Sequence, residues 1–201
     1  MRTLALLCLP LALLACSPKA EAPAAGLALT PVAGENWTID PAVSHLRFLG
    51  RHAGKPFEGE FQRFAASIRF DPADPANAAA IVLVDVESAK TGDTFRDTNV
   101  RTDDWFDVKR HPIARFESTA VRDLGEGHYA LLGDLEIKGV KTPVMLPFTL
   151  SQDGRRATVK GGADLDRFTL GLGLTSDPKE EWVARSIRFE LDLQADAKTG
   201  S

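Results

Sequence analysis

From Trp37 onward the dominant hydrophobic period of this chain is two, and that limits its fold more than any other feature. Val43-Ser44-His45-Leu46-Arg47-Phe48 alternates, as do Phe57 to Phe61, Ser67 to Phe70, Ala114 to Ser118, Tyr129 to Ile137, Val144 to Leu150 and Ser186 to Leu193. Successive side chains on a strand point to opposite faces, so each run has one dry and one wet face. That is the mark of antiparallel sheet and not of a parallel α/β core. Asp71-Pro72, Gly125-Glu126-Gly127, Lys138-Gly139, Asp153-Gly154 and Asp177-Pro178 supply turn chemistry between the runs. Roughly eight to ten strands result, the range of a sandwich or barrel. Gly59, Gly133, Gly161 and Gly162 fall inside strand-like runs, where a glycine marks a bend, a bulge or a close approach. Together with the single-sided alternation they favour a closed, strongly curved barrel over a flat sandwich.

One stretch interrupts the pattern. Thr91 to Val108 is charged and non-alternating and predicts one or two short helices, capped by Asp93 or Thr94. Trp105 and Phe106 are expected to pack this segment back over the sheet edge or the barrel mouth. The expected fold class is therefore all-β with one or two short helices.

The N-terminus reads as an address. Arg2 precedes an apolar run from Leu4 to Ala15, the charged and hydrophobic regions of a secretory signal. About a dozen residues is too short for a membrane-spanning helix, which needs ~20. Leu13-Leu14-Ala15-Cys16 resembles the bacterial lipobox, with Leu14 where a small residue is usual. On that resemblance residues 1–15 are a lipoprotein signal and Cys16 is the acylated N-terminus. More than one chain, at ~0.8 kcal/mol per buried methylene, suffices for a durable anchor. Ser17 in place of Asp implies outer-membrane sorting by the enterobacterial rule, with the domain facing the periplasm; if the lipobox is not used, the chain is soluble in the periplasm. Residues 16–34 are rich in Ala and Pro, a tether composition. The folded domain is expected over 35–196, followed by a disordered tail at 197–201.

Composition removes whole classes of chemistry. The only cysteines are Cys8 and Cys16, so the body of the protein has no disulfide framework, zinc cluster or thiol nucleophile. A net charge of −4 with no dense Lys/Arg stretch leaves no footprint for nucleic acid. Of the four histidines, His45 and His52 fall on opposite faces of one strand, His111 stands in a loop before Pro112, and His128 opens a strand. None is paired in sequence with a nucleophile, and surface or loop roles account for them. Asp103, Asp104 and Asp107 lack the spacing of a calcium loop, and helix solvation explains them more cheaply than a cation. No catalytic residue and no metal site is expected, nor any cofactor.

The ordered motifs resemble the YceI-like family of bacterial polyisoprenoid-binding proteins. Trp37-Thr38-Ile39-Asp40 with Ser44 and Phe48 is similar to its opening. Gly59-Glu60-Phe61 with Phe64, Ile68 and Phe70 follows, then Ser88, Thr91-Gly92, Arg96-Asp97 and Trp105-Phe106-Asp107. Pro112 with Phe116-Glu117-Ser118-Thr119, then Gly133-Asp134-Leu135-Glu136-Ile137-Lys138-Gly139-Val140, and finally Arg167 with Gly171 complete the set. The blocks run in family order from Trp37 to about Ala195. Two departures stand out: Val43-Ser44-His45 replaces the family's His-Ser, so His45 inherits no family role, and the pair before Asp107 is Trp-Phe.

The resemblance implies a lipocalin-like, extended antiparallel β-barrel whose apolar lumen holds one long isoprenoid chain, a polyprenyl lipid or a quinone tail. Read from the residues alone, the inward side chains Leu46, Phe48, Phe61, Phe70, Val84, Phe116, Leu135, Leu146, Phe148 and Phe189 would fill a solid core, as in most small barrels. With the resemblance they become the lumen wall, and Arg96 and Arg167 become the candidates for headgroup contact. Burying several hundred Å² of isoprenoid at ~25 cal/mol/Å² gives on the order of 10 kcal/mol gross, enough for retention without catalysis. The expected function is carriage or sequestration of that lipid at the cell envelope. One alternative is a quinone-handling accessory of a membrane cytochrome b561-type partner; a second is a hydrolase or isomerase using His45 or His111 at the barrel mouth. A homodimer is compatible with either binding reading.

Overall fold

The computed structural model describes residues 27–198. The expected signal, Cys16 and the tether up to residue 26 lie outside the described residues, as do residues 199–201. The strands are β1 (Trp37–Ile39), β2 (His45–His52), β3 (Lys55–Phe61), β4 (Phe64–Arg69), β5 (Ala79–Asp85), β6 (Ala89–Lys90), β7 (Ile113–Gly125), β8 (His128–Ile137), β9 (Val140–Asp153), β10 (Arg156–Asp166) and β11 (Ser186–Ala197). Between β6 and β7 lies a single short helix, α1 (Thr94–Asn99).

The strands close into an eight-staved antiparallel barrel. Three staves are interrupted: β1 with β2, β3 with β4, and β5 with β6. The ring closes because β11 pairs with β2 at Arg188–Asp192 and with β1 at Ala195–Ala197. β1 in turn meets β4 at Trp37↔Ile68. Each interruption lets a stave turn a corner that a straight strand could not.

Local chemistry sets the register. Ala53-Gly54, Glu126-Gly127 and Lys138-Gly139 carry positive φ at both positions and join β2–β3, β7–β8 and β8–β9. Two-residue turns of this kind match the right-handed twist of the strands they connect. In β7 a register shift between Ser118 and Ala120 faces Gly133 of β8, where a Cβ would lie 2.4 Å from the Glu117 carbonyl oxygen. The bulge bends the long β7–β8 hairpin around the barrel, and glycine is what the close approach requires.

The apolar interior forms two clusters. One gathers Phe48, Phe61, Val86, Phe106, Ile137 and Leu170 at the α1 end. The other gathers Trp37, Phe70, Tyr129, Ala157 and Ala195 at the opposite end. Trp37 donates its indole N–H to the Phe70 carbonyl at 2.9 Å, fixing the ring across the barrel floor.

The domain is longer at both ends than the composition predicts. Val32 donates its N–H to Ser67 Oγ at 2.9 Å and Arg69 donates to the Ala33 carbonyl, so the last part of the expected tether is docked on β4. Ala197 pairs with Trp37, and Lys198 donates its N–H to the Asn36 carbonyl at 2.9 Å, so the expected tail at 197 is still wall. Backbone hydrogen bonding, which composition does not report, sets both limits.

Candidate functional site

The inward face of the barrel encloses an apolar chamber of about 210 Å³. Its walls include Leu46, Phe61, Phe70, Val84, Phe116, Leu135, Leu146, Phe148 and Phe189. Among all its lining residues only Arg69 is charged, and that side chain is turned away, its Nε donating to the Asn77 carbonyl at 2.8 Å. Strand alternation places these residues: in β9, Val144, Leu146, Phe148 and Leu150 point in, while Pro143, Met145, Pro147 and Thr149 point out.

A second apolar space, a vestibule of about 360 Å³, lies beneath α1 and the loop from Arg167 to Arg185. Phe48 faces this vestibule and not the inner chamber, which corrects its expected place in the lumen by one level. The two spaces share Phe106 and Phe189. Phe61 stands beside both, 5.9 Å from Phe106 and 6.3 Å from Phe189 between ring centroids, and Phe48 lies 5.0 Å from Phe61. This aromatic layer divides the barrel. A Cβ on Gly59 would sit 2.2 Å from the Phe48 ring, so glycine at that point of β3 is what lets the layer close.

The vestibule is roofed by the segment that breaks the alternation. Asp93 caps α1 by accepting the Arg96 N–H at 2.9 Å. Asp97 accepts from the N–H and the hydroxyl of Thr91 at 2.7 and 2.8 Å. Burial raises the Asp97 carboxyl, but these bonds and the charge of Lys90 outweigh it and hold the group below its ordinary value. The Thr91-Gly92…Arg96-Asp97 block thus works as a clasp for the helix. Arg96 is half-buried, donates Nε to Thr91 Oγ1 at 3.3 Å and lies over the Phe57 ring at 5.4 Å. Its partner in charge is Asp93, at 3.7 Å, and not its neighbour Asp97.

Arg167 is not available to a ligand headgroup. Its side chain has no exposed surface and donates to the carbonyls of Leu172, Gly173, Asp177 and Val183 and to the Asp177 carboxylate at 2.8 Å. Burial pulls the guanidinium below its ordinary value while Asp177 pushes it back up. The residue fastens the Arg167–Arg185 loop from within, and the expected headgroup role is withdrawn on that geometry.

The acidic cluster also has structural work. Asp104 accepts the N–H of Thr175 at 3.0 Å and the N–H and hydroxyl of Ser176 at 2.7 and 2.6 Å, clipping the roof to the loop. Asp107 is buried at positive φ and pairs with Arg110 at 2.6 Å. Helix solvation therefore does not account for either. Among the described residues no three His, Cys, Asp or Glu side chains converge as metal ligands would.

His45 lies outside the barrel, 2.7 Å from Glu60. His128 contacts the Glu126 carbonyl at 3.1 Å, and His111 packs against Gly139. His52 is the one that alternation undersold: it lines the vestibule and stacks on Trp182 at 6.3 Å. Trp182 and Phe95 form an exposed rim there, 57% and 68% accessible. Phe95 sits on α1 and Trp182 in a distant loop, so only the folded chain brings them together.

A closed eight-staved barrel with an apolar chamber and an aromatic layer beneath a clasped lid defines the lipocalin-like class of small β-barrels. The chain belongs to the YceI-like family, whose domain matches residues 37–195. It is 31% identical over 163 residues to a UPF0312 protein of Ectopseudomonas mendocina, covering 78% of this chain and 82% of that one. A UPF0312 protein of Shewanella denitrificans is 32% identical over 173 residues, covering 82% and 87%. Among solved structures, BcnA of Burkholderia cenocepacia superposes with a TM-score of 0.75 at 32% identity, covering 78% of this chain and 98% of that one. A polyisoprenoid-binding domain of Saccharophagus degradans gives 0.65 at 15% identity over 82% and 99%, a likeness of fold.

Proposed function

We propose that this protein binds a long isoprenoid lipid, a polyprenyl lipid or quinone tail, by enclosing it, and that it performs no chemistry on it. The observation that carries this reading is the wall of the inner chamber, apolar throughout except for an Arg69 that turns away. Such a wall attracts hydrocarbon without orientation and supplies no acid, base or nucleophile. Chamber and vestibule together reach the size range of small-molecule sites, ~300–1,000 Å³. The polyisoprenoid-binding neighbour from Saccharophagus degradans supports the same class of guest.

In this reading Arg96, at the vestibule wall and half-buried, with Asp93 as its ion-pair partner at 3.7 Å, meets the polar head of the guest. Acylation of Cys16 tethers the barrel at the periplasmic face of the envelope, with outer-membrane sorting following from Ser17. The test is to purify the chain natively, extract it with organic solvent and identify the extract by mass spectrometry. A stoichiometric polyprenyl lipid or quinone is expected, with Arg96→Met retaining less of any acidic-headed species. An empty extract from folded, monodisperse protein would end the proposal.

A further inference from the structure

The barrel wall is not uniformly sewn. β9 and β10 are paired from Asp153↔Arg156 to Phe148↔Gly161, and there the ladder stops. Both strands continue, each held only on its far side: β9 by β8 from Thr149↔His128 to Val140↔Ile137, and β10 by β11 from Gly162↔Glu190 to Asp166↔Ser186. Between them runs an unladdered seam.

The sequence explains why. The two-residue turn after Asp153 makes Asp153↔Arg156 a hydrogen-bonded pair, so the odd-numbered residues of β9 aim their N–H at β10. Continuing the register would set Pro147 against Gly162, Met145 against Asp164 and Pro143 against Asp166. Two of those three positions have no N–H to give. Proline belongs where a strand edge is not required to donate, and here it stands where the wall opens. The even-numbered residues, which face β8, include no proline between Val140 and Leu150, so the other ladder is intact.

The seam reaches the interior, and its outer groove is mixed, with Thr142, Asp164, Asp166 and Thr169 beside Pro143 and Met145. Val144, Ala163 and Leu165 line both the inner chamber and a groove on the outer surface. Met145, 54% accessible, stands on the outer lip. Side chains narrow both axial routes. The aromatic layer lies toward the vestibule, and Trp37, Phe70 and Tyr129 cross the floor. Two other junctions among the described residues are thinly paired, and both are stitched: at β1 against β4, Asn36 brackets Phe70 with two side-chain bonds of 3.0 Å each, and beside the two pairs of β3 with β6, Arg63 donates to the Asp85 carboxylate at 2.8 Å.

We infer that the β9–β10 seam is a lateral portal through which a linear apolar chain passes between the lumen and a lipid surface. Parting the wall there breaks no ladder bond, whereas parting it along β7–β8, β8–β9 or β10–β11 would strip many paired backbone groups in an apolar setting. The inference rests on the enclosure reading above and adds the route.

The test uses all-trans-retinol, an isoprenoid alcohol whose fluorescence reports an apolar site, loaded into the full chain and released into phosphatidylcholine vesicles in a stopped-flow instrument. The double variant Pro143→Val with Pro147→Val restores two donors facing β10. It should slow release at least tenfold and protect the amides at 143, 145 and 147 from hydrogen exchange. If that variant does not fold, Met145→Cys with Asp164→Cys, in a chain whose Cys8 and Cys16 are serine, locks the seam when oxidised, and reduction should restore the rate. Unchanged release from the zipped or locked seam, with acceleration by Phe106→Ala, would establish the axial route and overturn the portal while leaving enclosure standing. Failure of the wild-type chain to take up retinol would overturn the portal by removing the guest that it is meant to pass.

Discussion

Arg167 shows how much a single position can hide. In the sequence it is a cation near the end of a family block, and a headgroup contact is a reasonable expectation for it. In the fold it is fully enclosed, and its donors are spent on four carbonyls and one carboxylate. Burial depends on the Arg167–Arg185 loop folding over it, which no local pattern announces. The lumen residues were legible for the opposite reason: alternation alone tells which side chains of a strand point in, and nine of the ten expected ones line the inner chamber. The geometry also yields a prediction. A buried guanidinium that loses the carboxylate it bonds keeps only the weaker charges of Glu180, Asp104 and Asp166, at a cost of up to about 3–5 kcal/mol. Asp177→Ala should lower the unfolding free energy by that order in urea titrations, and Arg167→Lys should not rescue function as a donor set, because an ammonium cannot span the same fork of acceptors. A loss below about 1 kcal/mol in either variant would show that the loop is fastened elsewhere.

Among elements, strands were read more reliably than their interruptions. The turn at Lys138-Gly139 was visible because glycine follows a β-run; Ala53-Gly54 joins β2 to β3 with the same geometry but lies in a short, charged neighbourhood that gives no period to break. The Thr91–Val108 roof was legible as non-strand, and Asp93 as its cap, yet the clip from Asp104 to Thr175 and Ser176 spans about seventy residues of sequence and could not be seen. That clip has a pH signature. Burial raises the Asp104 carboxyl, but the bonds from Ser176 and Thr175 outweigh it, so its folded-state value lies below the ordinary one. A group depressed on folding contributes stability that is complete above its unfolded pKa, ~3.9 for Asp, and lost as pH falls through the folded value. Protection of the Thr175 and Ser176 amides, taken relative to intrinsic exchange at each pH, should therefore fall as the solution is acidified below about pH 4. In Asp104→Asn the two amides should exchange faster at neutral pH and lose that dependence. Wild-type protection that stays constant over this range would rule out the carboxylate as the clip.

At the scale of the whole molecule, the question that alternation cannot answer is whether the barrel is hollow. Inward-facing residues look the same in sequence whether they meet one another or meet a guest, because the period reports direction and not distance. Stave number, closure and the bulge that faces Gly133 determine how far apart opposite walls stand, and those are properties of the closed ring. The structure leaves about 210 Å³ unfilled between walls of Val, Leu and Phe. A filled core and a vacant chamber respond oppositely to added bulk. In a packed interior, extra side-chain volume forces strained rotamers and costs ~1–3 kcal/mol. In a vacant one the new atoms gain contacts that the cavity lacked, and stability stays within about 1 kcal/mol of the parent or rises. Leu135→Trp, on the chamber wall in β8, separates the cases. The hollow barrel predicts an unfolding midpoint close to wild type together with loss of bound isoprenoid, because the indole occupies the guest's space. A marked drop in stability would describe a solid core, and retained lipid stoichiometry in a well-folded variant would place the guest outside this chamber.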